Sequence, residues 1–477
     1  MMVRKYLCIA ILWAGFLVHG QNKQLLYDFT EIPQALLINP GMETDFKWYA
    51  GVPLLSGISA QAGSNGISVN DLFANDGIDF NTKVREKVIN GMSIRDELSG
   101  TYQIDILNGG FRGQDPSVFY SFGVYNEGDF ISYWPKDYAI LAFEGNADRL
   151  NERFDLGHLK TRGGVLNVFH FGFNKKMNNN LVLGARGKIY SSIFDFGSSK
   201  NTGYFVTTEG QNNIFASTLS ADLQLRTSGI NAIETASDND NVPATLVKRG
   251  LFGGNLGLGL DLGFTYYLNP QTVLTGSLLD LGFIYHTNEI ENFTLNGNST
   301  IEGVEIILPD ALLDPTQDFW QDLVDEVEAL VPFEETTKSY INFRPTKLYA
   351  SLRYNFGEPK EGAVDCNCDY LNSGGGSNVT KYRNSLGGQL YVINRPRGPQ
   401  MAITAFYQRR LGNFMALKTT YTADKFTFTN VGLGASFQAG PINFYLMADN
   451  LLAYRNIAAS NYASLQFGLN IISWEKK

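Results

Sequence analysis

Beyond its first twenty residues the chain holds three histidines, His158, His170 and His286, and two cysteines, Cys366 and Cys368. These are the residue types that bind metals or attack carbonyls, and their spacing supports neither use. There is no His-Glu-x-x-His pair to hold zinc and no Gly-x-Ser-x-Gly turn to expose a nucleophile. The Cys366-Asn367-Cys368 pair, flanked by Asp365 and Asp369, could close a small disulfide, stay an inert loop pair, or lend two thiolates to a metal. No further cysteine and no nearby histidine completes a metal site, so in an exported chain a disulfide or inert pair is the leading reading. Gly257, Gly259 and Gly263 superficially match a phosphate loop. They fall inside an alternating run rather than at a strand-to-helix turn, so the match is spurious. The expectation is a protein that is not an enzyme and carries no cofactor and no metal.

A second set of charged residues does have a pattern. Arg186, Lys188, Asp222, Arg226, Asp261 and Arg353 sit among apolar residues at alternating positions, and the adjacent Arg409 and Arg410 are counted with them. In an extended strand alternate residues face opposite sides, so these charges would line one face while the apolar residues line the other. The expected use is the lining of a wet lumen, which they hydrate or plug rather than select through.

The elements that must position them are strands. From Leu256 to Leu268 leucine, phenylalanine and tyrosine take every second position, with Gly257, Gly259, Asp261, Gly263 and Thr265 between them. Thirteen such residues make a rod of roughly 40 Å, long for a soluble domain. Asn269-Pro270-Gln271 turns the chain into a second long run, Val273 to His286. Two long strands, a tight turn and one greasy face describe a hairpin of a transmembrane β-barrel. The bulk numbers agree. Only 18% of residues are charged and 13% aromatic, with 49 Gly, and the mean hydropathy is −0.13. Apolar residues are therefore spread one by one through polar neighbours, and no apolar run after the N-terminus could span a bilayer as a helix. The net charge of −9 points away from nucleic acid.

Residues 1–20 read as a cleaved secretory signal peptide, with Arg4 and Lys5, an apolar stretch, and Val18-His19-Gly20 before Gln21. Residues 21–45 are not strand-like and are expected at or inside the periplasmic mouth, with a short helix near Pro33 to Leu37. Residues 46–477 form the barrel. Seventeen runs have strand periodicity, which is odd in number and cannot close an antiparallel barrel with both ends on one side. False candidates are expected between residues 46 and 130 and at Gly203 to Thr208, leaving fourteen or sixteen. An insertion at 287–346 carries a helix opening at Asp314-Pro315, with Phe319, Leu323 and Val327 on its apolar face. That face either folds over the barrel's own mouth or docks a partner. Counting from a periplasmic C-terminus, the insertion falls outside the cell and the cysteine loop in the periplasm. Aromatic residues near strand ends, Trp48, Tyr190, Tyr266, Tyr267, Tyr285, Tyr354, Tyr421 and Trp474, are expected in the girdles at the lipid headgroups.

The leader Ile38-Asn39-Pro40-Gly41, the paired Leu262-Gly263-Phe264 and Leu281-Gly282-Phe283, and the late run from Asn443 to Leu452 resemble the PorP/SprF-like outer-membrane proteins of type IX secretion and gliding, or a neighbouring family of unknown function. The resemblance implies a fatty-acid-channel-like barrel of fourteen strands in a Gram-negative outer membrane. It also implies an accessory or scaffold role beside a secreted surface protein or a component of the secretion machinery, embedded in outer-membrane lipid. The alternative expectation is a passive transporter of hydrophobic or small solutes.

Overall fold

A computed structural model describes residues 23–210, 215–238, 241–302, 333–359 and 382–474. The signal peptide, the Cys366/Cys368 pair, and Phe319, Leu323 and Val327 of the expected partner helix lie outside the described residues.

Fourteen antiparallel strands close into one barrel. The first, β1, is interrupted (Phe46–Gly51 and Ile58–Ser64). It is followed by β2 (Glu97–Arg112), β3 (Val118–Tyr133), β4 (Thr161–Lys176), β5 (Leu181–Glu209), β6 (Asn255–Tyr267) and β7 (Thr272–His286). Next come β8 (Tyr340–Phe343 and Lys347–Pro359), β9 (Tyr382–Arg395), β10 (Gly398–Leu411) and β11 (Met415–Ala423). The last three are β12 (Asn430–Ala439), β13 (Ile442–Asp449) and β14 (Tyr462–Trp474). Each strand pairs with the next, and β14 returns to β1 through Phe46↔Trp474 and Ala62↔Ala463. Closure leaves no strand edge, which hydrocarbon would not tolerate.

The alternation read from sequence is the alternation of the wall. Leu256, Leu258, Leu260 and Leu262 on β6 and Phe171 and Phe173 on β4 are exposed on the outside, forming the lipid-facing belt. No helix among the described residues is long and apolar enough to cross a membrane, so the strands carry the crossing. Trp48, Tyr266, Tyr285, Tyr354, Tyr421 and Trp474 face outward as a girdle requires, whereas Tyr190 and Tyr267 are buried and point into the barrel.

The surplus strand candidates resolve for identifiable reasons. Val118–Tyr125 and the start of Ile131–Phe143 are one strand, β3, which ends at Tyr133; after Pro135 a helix runs Lys136–Glu144. Leu181–Phe194 and Gly203–Thr208 are both β5, a single strand of 29 residues. Phe215–Ser228 is a strand, but not of the barrel. It pairs with the far half of β5 and with Ile290–Glu302, which in turn pairs with Phe333–Thr336. This sheet extends the wall beyond the barrel and is capped by a small apolar cluster of Val84, Ile89, Ile140, Phe154 and Phe205. Five of the six connections at the end where Phe46 and Trp474 lie are short, 113–117, 177–180, 268–271, 412–414 and 440–441, whereas at the opposite end only 396–397 is as short. Short turns mark the periplasmic end of such barrels, which places the extra sheet, with the described residues 287–302 and 333–346 of the insertion, outside. In the tightest turn Gly440 takes φ +57°, which a glycine adopts without strain.

Candidate functional site

The lumen is closed by two different constructions, one above the other. The lower is chain: residues 23–45 enter from the periplasmic end and fill the barrel from within. Their only regular element is a 3₁₀ turn at Pro33–Leu37, where the sequence placed a short helix. Leu25, Leu26, Phe29, Ile32, Leu36 and Ile38 are buried in one cluster with wall residues including Tyr349, Tyr391 and Met447. Tyr27 stacks on Tyr349, with ring centroids 4.9 Å apart.

A segment without ladder partners must find hydrogen bonds elsewhere. The wall supplies them. Arg186 Nη1 donates to the Leu36 carbonyl at 2.9 Å, Ser277 Oγ to Ile38 at 2.6 Å, Thr265 Oγ1 to Gly41 at 2.9 Å and Asn174 Nδ2 to Met42 at 2.9 Å. Arg353 Nη1 donates to the Asp28 carbonyl at 3.1 Å, and Gln389 and Lys418 both reach the Tyr27 carbonyl. Side-chain pairs complete the seat: Gln34 with Asn470, Lys176 and Tyr267 with Glu43, and Gln408 and Arg410 with Glu31.

The Ile38-Asn39-Pro40-Gly41 leader is where the stopper meets the wall backbone to backbone. A Cβ on Gly184 would lie 2.0 Å from the Pro40 carbonyl oxygen, and one on Gly263 would lie 2.2 Å from Asn39 Oδ1. Gly41 itself sits against Gly263, 2.4 Å from where its own Cβ would be. Three glycines are thus required by close approach, one of them the Gly263 of the Leu-Gly-Phe motif.

Just above lies a buried charge cluster. Asp261 accepts Arg186 Nε at 2.8 Å and Lys188 at 2.9 Å, and its other oxygen takes the Asp280 backbone N–H at 2.7 Å. Asp280 in turn holds Lys188 at 2.6 Å and Lys347 at 2.9 Å. Burial of so many charges is tolerable because each is paired and hydrogen-bonded.

The upper construction is wall against wall. Arg395 of β9 pairs with Asp129 of β3 at 2.6 Å. Arg344, in the gap of β8, pairs with Glu127 of β3. Glu97, the first residue of β2, takes Lys425 at 2.8 Å and Gln400 of β10 at 2.7 Å. These strands stand on opposite sides of the ring.

Of the residues expected to line the lumen, Arg186, Lys188, Asp261 and Arg353 do so, and the first three form one cluster; Arg410 joins Glu31 of the stopper. Asp222 and Arg226 do not. They lie on the outer sheet, Asp222 opposite Thr202 and Asn296, because that strand never enters the barrel. Arg409 is exposed on the outer face, one position out of phase with Arg410. The histidines are scattered: His158 in an outer loop near Asp137, His170 beside the Tyr125 ring, and His286 stacked on Tyr340. No cluster of metal-ligating residues occurs among the described residues. Sequence reasoning missed Glu97, Glu127, Asp129, Asp280, Arg344 and Arg395. Asp280 illustrates why. By strict alternation it shares a face with Leu278 and Gly282, but a bulge between Leu278 and Leu281 turns it inward, with φ +59°.

Fold and site together define a transmembrane β-barrel of the outer membrane with an internal stopper. Residues 40–449 match a single family model, and the chain belongs to that family, described as a family of unknown function (DUF5723). No curated protein matches it. Among solved structures it is similar to the P. putida toluene transporter TodX, with 11% identity, covering 96% of this chain and 94% of that one, at a TM-score of 0.36. It is also similar to the Ralstonia pickettii toluene transporter TbuX, with 8% identity, 93% and 94% coverage and a TM-score of 0.40. A Pseudomonas aeruginosa FadL homologue matches with 10% identity, 93% and 94% coverage and a TM-score of 0.39.

Proposed function

We propose that the protein is a stoppered passive channel of the outer membrane, passing hydrophobic or small solutes when residues 23–45 shift. One observation carries this reading. The lower lumen is filled not by wall side chains but by a separate segment that enters from one end and is joined to the wall only at Phe46. A barrel that needed merely to be solid could fill itself from its own strands, as small barrels do. The test is solute uptake into liposomes holding either the full chain or a chain lacking residues 23–45, with correct assembly checked by heat-modifiable gel migration. Low uptake by the full chain and at least tenfold faster uptake by the truncated one support the channel. Equal, background-level uptake by an assembled truncated barrel removes it.

A second reading, an accessory scaffold of the PorP/SprF type for a secreted surface protein, is favoured by the outer loop 65–96. There Phe73 is 69% and Val69 59% exposed, with Phe80 beside Phe73 at 5.8 Å between ring centroids. Apolar residues this exposed outside the lipid belt are what a partner would cover. Deleting residues 303–332, or changing Phe73 and Phe80 to serine, should then abolish co-purification of a surface protein while the barrel still assembles; unchanged co-purification discards the idea.

A further inference from the structure

Three ion pairs cross the upper half of the lumen with their acids on one wall, and Arg162 of β4, beside those acids, reaches over to the Phe343 carbonyl. Glu97 on β2 and Glu127 and Asp129 on β3 form an acidic side; Arg344, Arg395 and Lys425, from β8, β9 and the loop after β11, form a basic side. Fourteen strands about 4.8 Å apart and tilted by about 40° enclose a ring roughly 25 to 30 Å across. An arginine and an aspartate reaching toward each other cover about half of that at most. Pairing across the lumen therefore requires the outer half of the barrel to be drawn into a narrow slit. The slit is closed: the paired side chains are between 1% and 16% exposed.

Each wall also keeps unused capacity of its own sign. Arg344 Nε and Arg395 Nε are buried donors without a hydrogen-bond partner, and Asp129 Oδ1 and Glu97 Oε1 are buried acceptors without one. Beside Arg395 and Gln400 the two walls leave a narrow cleft, lined also by Ser99, Tyr391 and Tyr462.

We propose that this slit is a gate and recognition site for small zwitterions, compounds carrying an ammonium and a carboxylate a few bonds apart. The proposal deepens the channel reading and rests on it. Parting Arg395 from Asp129 in a low-dielectric slit leaves two uncompensated charges, which is costly. A solute bringing a carboxylate to the guanidinium and an ammonium to the aspartate exchanges one ion pair for two and conserves charge at every step. An apolar solute of the same size offers neither group and must break the pairs without replacement. The aligned walls also impose a field across the slit that orients a dipolar solute as it enters.

The test uses the full chain with Cys366 and Cys368 changed to serine and Ile393, an inward residue just below Arg395, changed to cysteine. Labelling rates at I393C are compared for a zwitterionic 2-amino-2-carboxyethyl thiosulfonate and its neutral 2-hydroxyethyl counterpart, each scaled to its rate on free cysteine. The proposal expects a zwitterionic-to-neutral ratio several-fold above one. In R344Q/R395Q the ratio should fall to one while the neutral reagent reacts at least tenfold faster. The exchanged pair R395D/D129R should recover the slow neutral rate. A ratio of one in the starting protein, or rates unmoved by R344Q/R395Q, overturns the proposal. Because labelling reads only the outer half of the lumen, a failed gate is told apart from a failed channel, which liposome uptake through the truncated barrel reads separately.

Discussion

The two halves of the lumen are shut by opposite means. Below, wall side chains bind mostly the carbonyls of the stopper, those of Tyr27, Asp28, Leu36, Ile38, Gly41 and Met42. Above, side chain meets side chain across the ring. Recognition of backbone tolerates substitution in the stopper but not displacement of it, since every residue offers the same carbonyl. Recognition by charge tolerates movement but not a change of residue. The lower closure is thus a matter of shape and seat, the upper one of sign, and substitutions in each should fail differently.

The largest effect should follow Arg186→Met, which empties the seat where both logics meet. It removes one of the two cations on Asp261 and a donor to the stopper together, so a cost of about 3–5 kcal/mol is expected in thermal unfolding. Adding Asp261→Asn should recover little of it, because Asp261 still holds Lys188 and the Asp280 amide. Next, Gly263→Val presses a side chain into Asn39 and Pro40. Overpacking of this kind costs about 1–3 kcal/mol, and residues 23–45 should become readily cleaved by protease while the strand signature in circular dichroism stays. Arg395→Gln, in the upper half, leaves the buried Asp129 carboxylate without its cation and should cost about 1–3 kcal/mol while leaving the stopper protected; a protease-sensitive stopper in that variant would mean that the halves are not separate.

The smallest effect concerns the rim. Burial raises the Asp424 carboxyl, in the loop after β11, to about 6, against the pull of its hydrogen bonds from the Thr427 and Phe426 amides and with Asp449 nearby adding to the rise. A carboxyl raised on folding stabilises in its protonated form. The contribution is whole below the ordinary carboxylate range, near 4, and is lost as the pH climbs through about 6. Amides of 424–429 should therefore exchange more slowly at pH 4 than at pH 7 after correction for intrinsic rates, and Asp424→Asn should abolish the difference.

The barrel was legible because alternation is a local signal: each leucine from Leu256 to Leu262 reports its own side of the wall. The short turn at Pro33–Leu37 and the break at Ile38 to Gly41 were legible too. What made the leader necessary was not, since Gly184 and Gly263 lie more than a hundred residues away and meet Pro40 and Asn39 only on closure. Strand number went astray where one strand outran its usual length, as β5 does, or where a strand served a second sheet, as Phe215–Ser228 does. The upper ion pairs were hidden for the same reason as the leader's glycines. Glu127 and Asp129 are an unremarkable pair in Tyr-Asn-Glu-Gly-Asp until β8 and β9 are brought opposite, and Asp280 is misplaced by any reading that ignores a bulge.

The length of β5 has a mechanical corollary. At about 3.3 Å per residue its 29 residues span at most roughly 95 Å, bent by irregularities at Ile193 and between Ser198 and Asn201. One end holds Arg186 against the stopper and the other buries Phe205 in the outer cap. A load applied at the cell surface is thereby delivered along a single strand to the cork on the far side of the bilayer, with only its two bulges to absorb it.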